Sequence, residues 1–140
     1  MADVKTFNPK RIALSINGIE VDGFPDATFI EIERISDLVA SKAGARGEVV
    51  RVINNDPRHE IRLTLMQSSA MHKILKGLEK LDRETCGGAM MVFYMSDLCG
   101  TDMFVAPQTW VAKSAPRSYG VEVADWTWTL HCGEPAVDLM

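Results

Sequence analysis

The sequence predicts an α+β fold that is mainly antiparallel β: a sandwich or half-open barrel with one flanking amphipathic helix and a long projecting β-hairpin. Three observations carry this. Short alternating runs rich in β-branched residues recur along most of the chain, separated by Gly, Asn, Asp and Pro. One segment, from about Ser69 to Asp82, has helical periodicity instead. Between two of the strand-like runs lies a polar connector, Ser36–Gly47, with too few apolar groups to pack on its own.

The elements follow in order. In Arg11–Ile16, Ile12, Leu14 and Ile16 alternate with Arg11, Ala13 and Ser15, and Asn17-Gly18 then leads into Ile19–Asp22. Asn-Gly between two periodic runs is a strong hairpin signal, because both central turn residues need φ > 0. Gly23-Phe24-Pro25-Asp26 breaks the sheet before Phe29–Ile35, where Ile30 and Ile32 face one way and Glu31 and Glu33 the other. Glu48–Ile53 is expected as its hairpin partner across the Ser36–Gly47 arm. After the turn Asn54-Asn55-Asp56-Pro57, the strand Glu60–Met66 sets Ile61, Leu63 and Leu65 against Glu60, Arg62 and Thr64.

Ser68 or Ser69 is placed to cap the helix. Met71, Ile74, Leu75, Leu78 and Leu81 form one apolar stripe, leaving His72, Lys73, Lys76, Glu79 and Lys80 to solvent. Cys86-Gly87-Gly88 is a flexible break. Met90–Met95 reads as a strand, Ser96–Gly100 as a turn and Thr101–Ala106 as the partner strand. Short strands are expected at Trp110–Lys113 and Tyr119–Val123. The last strand is Asp125–Cys132, with Trp126, Trp128 and Leu130 on one face, before a loose tail, Gly133–Met140.

At 140 residues the chain is expected to form one domain with a real core. A hydrophobic fraction of 46% excludes a disordered tail. No apolar run approaches the ~18–20 residues that cross a bilayer. The opening MADVKTFNPKR lacks the apolar region of a secretion signal, so synthesis and folding in a cytoplasm are expected. A net charge of −4 argues against a protein that grips DNA, which needs clustered cations.

Enzyme signatures are missing: no GxSxG, Walker-type loop, HExxH or GxGxxG occurs. His59, His72 and His131 read as surface or structural residues, and no cofactor is expected. Metal binding is not expected either: of Cys86, Cys99, Cys132 and His131 only the last two are close, and adjacent strand residues face opposite ways. Glu31 and Glu33 share a strand face, which a solvated polar surface explains as well as any function. Trp126 and Trp128 have acidic rather than basic neighbours, so packing is favoured over nucleic-acid stacking. Three cysteines leave one without a partner in the chain, open to buried thiols or to a link between copies.

Taken in order, GFPDATFIEIER, AGARGEVVRVINND and IRLTLMQSS, then the helix after Gln67 and DWTWTLHC, resemble the tail tube protein of contractile-tailed bacteriophages. The resemblance covers roughly the whole chain and rests on order and spacing, not on catalytic motifs. It implies a virion subunit, made in the host cytoplasm, that forms homohexameric rings stacked into a tube. The implied partners are further copies of itself and the tail sheath, tape measure and baseplate proteins, with DNA passing through unbound. It also implies that the arm reaches the next ring, with Ser36, Lys42, Gly44, Arg46 and Gly47 as its residues. Glu31 and Glu33 become candidates for a negatively charged lumen that repels phosphate, with a generic exterior or subunit-contact face as the alternative. Cys86 and Cys99 become candidates for an intersubunit disulfide in a particle exposed to oxidising surroundings.

The reading is therefore a structural tube subunit for DNA ejection. The alternatives are the tube of a type VI secretion system or bacteriocin tail, a monomeric ligand-binding β-sandwich, and a small β-barrel hydrolase, for which no nucleophile–base spacing appears.

Overall fold

Asn17 and Gly18 adopt φ of 53° and 80°, closing the first hairpin between β1 (Ile12–Ile16) and β2 (Ile19–Glu20) as the Asn-Gly turn requires. A short 3₁₀ turn, Pro9–Arg11, precedes it, with Asn8 accepting from the Lys10 amide. The computed structural model describes residues 3–139. The remaining elements are β3 (Ile30–Arg34), β4 (Val39–Ala43), β5 (Val49–Ile53), β6 (His59–Met66), α1 (Met71–Glu84), β7 (Met91–Asp97), β8 (Met103–Lys113) and β9 (Asp125–Cys132).

Seven strands form one antiparallel sheet in the order β2-β1-β7-β8-β9-β6-β3, and β4 and β5 pair only with each other. The register of the large sheet stacks apolar residues across strands. Ile61 lies opposite Leu130, Leu63 opposite Trp128 and Leu65 opposite Trp126. Leu14 faces Met95 and Ile16 faces Phe93, which in turn meets Ala106. These side chains are buried and form one hydrophobic cluster, with Ile30 and Ile32 packed at its edge. Their outward neighbours are polar along β9 and, up to Met66, along β6, the alternation expected of a sheet with one buried face.

The sheet curls without closing. At the seam between β3 and the β1–β7 pair, Phe7, Ile12, Phe29, Ile32, Met95 and Leu139 line an open groove of about 460 Å³. The architecture is thus the expected α+β half-open barrel. Ile74 and Leu78 of α1 join the core beside Met71 and Leu75. Ser69 accepts from the Met71 amide at 3.3 Å and donates to the Asp22 carbonyl at 2.9 Å, tying the helix start to the chain after β2. Gly23 is needed there: its φ is +80°, and a Cβ would lie 2.8 Å from the Ser69 Cβ.

Several expectations are corrected. β5 does not pair with the Phe29–Ile35 strand. β3 pairs with β6, and the connector itself supplies β4, so the projecting hairpin runs Val39–Ile53 and not around an unstructured Ser36–Gly47. Thr101–Ala106 and Trp110–Lys113 belong to a single strand, β8. Pro107 is tolerated because Pro107 and Gln108 bulge opposite Val92, and Thr109 closes the bulge by donating to the Ala106 carbonyl at 3.1 Å. Tyr119–Val123 is not a strand, and its alternating side chains are exposed. The tail Gly133–Leu139 is partly held: Val105 and Val137 exchange backbone bonds, and the Ala136 amide also donates to the Val105 carbonyl, where β9 has ended.

His72, expected in solvent, is 3% exposed. The Trp128 indole donates to His72 Nδ1 at 3.0 Å, so Nε2 carries the ring proton and donates to the Met66 carbonyl at 2.8 Å. Burial holds this imidazole below its ordinary pKa, opposed by the Met66 bond and reinforced by Arg117. Arg117 in turn stacks 5.1 Å from the Trp126 ring centre.

Candidate functional site

β4 and β5 make a ribbon that lies wholly outside the core. Every residue of both strands is exposed. The pairing sets Val39 opposite Ile53, Ala40 opposite Val52 and Lys42 opposite Val50, so apolar groups occupy both ribbon faces. Val49, Val50, Val52 and Ile53 are each 59–68% exposed, a degree of apolar exposure unusual for side chains inside a strand. An isolated two-stranded hairpin is at best marginally stable in water, so this one gains most from covering its apolar groups.

Of the expected arm residues, Lys42 lies in β4, while Gly44, Arg46 and Gly47 make the tip. There the Gly44 amide donates to the Glu48 carbonyl at 2.7 Å, the Gly47 amide donates to the Gly44 carbonyl at 3.1 Å, and Gly47 has φ +87°. Ser36 is at the base, donating to Asp56 Oδ2 at 2.9 Å.

Glu31 and Glu33 project from the non-core face of β3, and the sheet brings both to Arg62. Arg62 Nε donates to Glu31 at 2.8 Å, and one terminal nitrogen donates to Glu33 at 2.8 Å and to Glu60 at 2.9 Å. Three carboxylates around one guanidinium leave a net negative cluster. The Arg62 bond holds the Glu33 carboxyl below the usual carboxylate range, and the carboxylates push Arg62 higher still. Thr64, Thr127 and Thr129 extend this polar face, with the Thr64 and Thr127 hydroxyls 2.9 Å apart. Across the same sheet the outer side of β7 and β8 is more apolar, with Val92 and Met103 exposed, and Met90 is exposed just before β7.

Cys86 and Cys99 are both exposed, in separate turns, and Cys132 is buried. Burial pushes the Cys132 thiol up. Cys86 has φ 56° and Gly87 φ 97°, a left-handed ending to α1. Among the described residues no group of three His, Cys, Asp or Glu side chains is placed to hold a metal, and no helix is long and apolar enough to cross a membrane.

Sequence reasoning missed Arg62 as the hub of the acidic face, although its outward position between Glu60 and Thr64 was legible. It also missed Arg34 and Asp56, which join the two ends of the arm, and the valines of β5 as an uncovered surface.

No known protein-family model matches the chain. A curated relative, "Structural protein ORF10" of Pseudomonas phage KPP10, is 22% identical over 132 residues, covering 89% of this chain and 76% of that protein. Two solved structures share the fold. The cryo-EM structure of the anti-feeding prophage cap (AFP tube terminating cap) matches with a TM-score of 0.60 and 10% identity, covering 100% of this chain and 95% of that one. The sheath/tube terminator of an extracellular contractile injection system, PVC, in the extended state, matches with a TM-score of 0.58 and 10% identity, covering 96% of this chain and 97% of that one. The chain therefore has weak similarity to a phage structural protein and a fold found in structures of contractile-system tube caps and terminators.

Proposed function

We propose that this chain is a structural subunit of the inner tube of a contractile phage tail, stacked as homohexameric rings around the channel for DNA ejection. The role is non-enzymatic and the location is the virion tail. The carrying observation is the β4–β5 arm, whose four outward apolar residues Val49, Val50, Val52 and Ile53 find no cover in their own subunit. A neighbouring ring would cover them. The free outer edge of β3 and the short β2 leave both ends of the sheet open to lateral pairing, which would also protect those edges from uncontrolled aggregation. The negative cluster of Glu31, Glu33 and Glu60 around Arg62 suits a lumen that phosphate slides past. Sheath, tape measure and baseplate proteins would be the other partners.

A second reading is favoured by the two solved structures, whose titles name a tube terminating cap and a sheath/tube terminator. In that reading the chain ends a tube and does not propagate one. Negative-stain electron microscopy of concentrated purified protein separates the readings. Long hollow tubes support the tube subunit. Discrete rings that never stack support the terminator, and a monodisperse monomer at all concentrations overturns both.

A further inference from the structure

The arm leaves the body through two linkers, residues 35–38 and 54–58, which are joined by two backbone bonds, Ile35 amide to Arg58 carbonyl at 3.2 Å and Asn54 amide to Leu38 carbonyl at 2.8 Å, and by a polar side-chain cluster. Arg34, the last residue of β3, sends Nη2 to the Asn54 carbonyl at 3.1 Å and to the Asp56 carbonyl at 2.6 Å. Ser36, on the outgoing linker, donates to Asp56 Oδ2 at 2.9 Å. On the returning linker, Asp56 Oδ1 accepts the Arg58 amide at 3.1 Å, and the carboxylate takes the Arg58 guanidinium at 2.8–3.1 Å. Asn54 Oδ1 accepts the Asp56 amide at 3.0 Å. The bonds to Arg58 hold the Asp56 carboxyl far below the usual carboxylate range, so it stays an acceptor across all ordinary pH.

These bonds are out of proportion to what the core needs, because none of these residues belongs to the hydrophobic cluster. What they do constrain is direction. A ribbon held at its base by those two backbone bonds alone would swing more freely, and each copy would have to lose that freedom on docking. Arg34 bonds to two carbonyls of the returning linker, and Ser36 adds a further bond from the outgoing linker to the Asp56 side chain.

We infer that Arg34, Ser36 and Asp56 form a clamp that fixes the angle at which the β4–β5 arm leaves the body. The arm is thereby presented in the same direction by every copy. The purpose of the clamp rests on the proposed stacking role of the arm, but the clamp itself is a property of one subunit.

The test places spin labels at Ala45→Cys on the arm tip and Lys73→Cys on α1, in a background of Cys86→Ser and Cys99→Ser, and measures their distance distribution by pulsed electron resonance. The clamped parent gives one narrow peak. Arg34→Met and Asp56→Asn each broaden it severalfold, with an unchanged urea midpoint for the body. Ser36→Ala, the mildest change, broadens it least, and serves should either stronger variant fail to fold. A width unchanged in every folded variant overturns the clamp. In unlabelled protein that stacks, Arg34→Met and Asp56→Asn leave rings but lose long tubes. Failure of the unaltered protein to stack counts against the tube reading alone, since the distance measurement on single subunits still decides the clamp.

Discussion

β5 and β6 are neighbours in sequence and opposites in environment. By composition β5, Val-Val-Arg-Val-Ile, is the stronger strand former, yet all five of its residues are exposed. β6, with two acidic or basic residues and a His among its eight, alternates buried and half-buried along its whole length. The difference is the neighbour. β6 lies between β3 and β9 and presents Ile61, Leu63 and Leu65 to Leu130, Trp128 and Trp126. β5 has β4 on one side and water on the rest. Strand propensity here is thus split between a body that uses it to bury a core and an arm whose apolar groups stay uncovered.

Trp128→Ala and the pair Val50→Ser with Val52→Ser test this split most sharply. Trp128 is fully buried and its indole is hydrogen-bonded to His72. Its truncation is expected to cost about 3–5 kcal/mol, a large share of the ~5–15 kcal/mol that holds a typical domain together. The two serines are expected to move the subunit's stability by less than about 0.5 kcal/mol while removing assembly. Urea unfolding read beside light scattering checks both. A double serine variant that unfolds like the tryptophan variant would mean that the arm is part of the core.

Acid should act on the body through His72 and leave the arm alone. The folded pKa is lowered from 6.5 by burial, so the unfolded chain takes up that proton first. Stability is then complete above about pH 6.5 and falls as the pH drops toward the folded value, by at most about 1.4 kcal/mol per unit. The measurement is the difference between parent and His72→Gln across the same pH range. An equal slope in both removes His72 from the account.

The body was legible in the sequence because burial writes a period of two into it. Asp125–Cys132 was placed to the residue on that ground, and the Asn-Gly hairpin was placed correctly, although β2 ends at Glu20, two residues short of the expected Asp22. β4 was not legible, since Val-Ala-Ser-Lys-Ala has neither face to bury and so carries no alternation. Tyr119–Val123 failed in the opposite direction: it alternates without any strand to pair with. Pro107 was read as a strand end because a ladder amide is missing there, and only the bulge explains how β8 continues. His72 was assigned to solvent by residue type, although it adjoins Met71 and Leu75 on the helix and a buried indole N–H elsewhere in the chain requires an acceptor. The acidic face was legible as a polar face but not as a network, since Glu31 and Arg62 meet only through the β3–β6 register.

Removing the arm outright separates the two regions. The Asn54 amide already donates to the Leu38 carbonyl at 2.8 Å, so the ends of the ribbon are close enough for a tight Gly-containing turn to replace Val39–Ile53. The shortened subunit is expected to keep its stability to within about 1 kcal/mol and to lose stacking. Long tubes from such a protein would assign stacking to another surface.

On the charged face, Glu31→Lys with Glu33→Lys leaves Arg62 beside two cations. Exposed ion pairs contribute roughly 0–1 kcal/mol each, so the subunit should remain folded. If this face lines the channel, tubes still form and now retain DNA in a way that salt reverses. Tubes that fail to assemble would place the carboxylates at a subunit contact instead.

The smallest effect expected on the subunit is that of its thiols, and it falls on the assembly alone. Cys86 and Cys99 lie in exposed turns outside the core, whereas Cys132 is buried with its thiol pushed up, which keeps it out of exchange. Cys86→Ser with Cys99→Ser should leave the urea midpoint of the subunit where it was. In a particle that meets oxidising surroundings, either exposed cysteine can bridge two copies if their Cα atoms come within about 7 Å. Such links would stiffen a tube without burying any further apolar area. Denaturing electrophoresis of assembled protein without reductant should then show dimers and higher multimers that collapse to monomer when reductant is added. A single monomer band under both conditions would leave stacking to the arm and the sheet edges, and would confine both thiols to the solvent side of the turns that carry them.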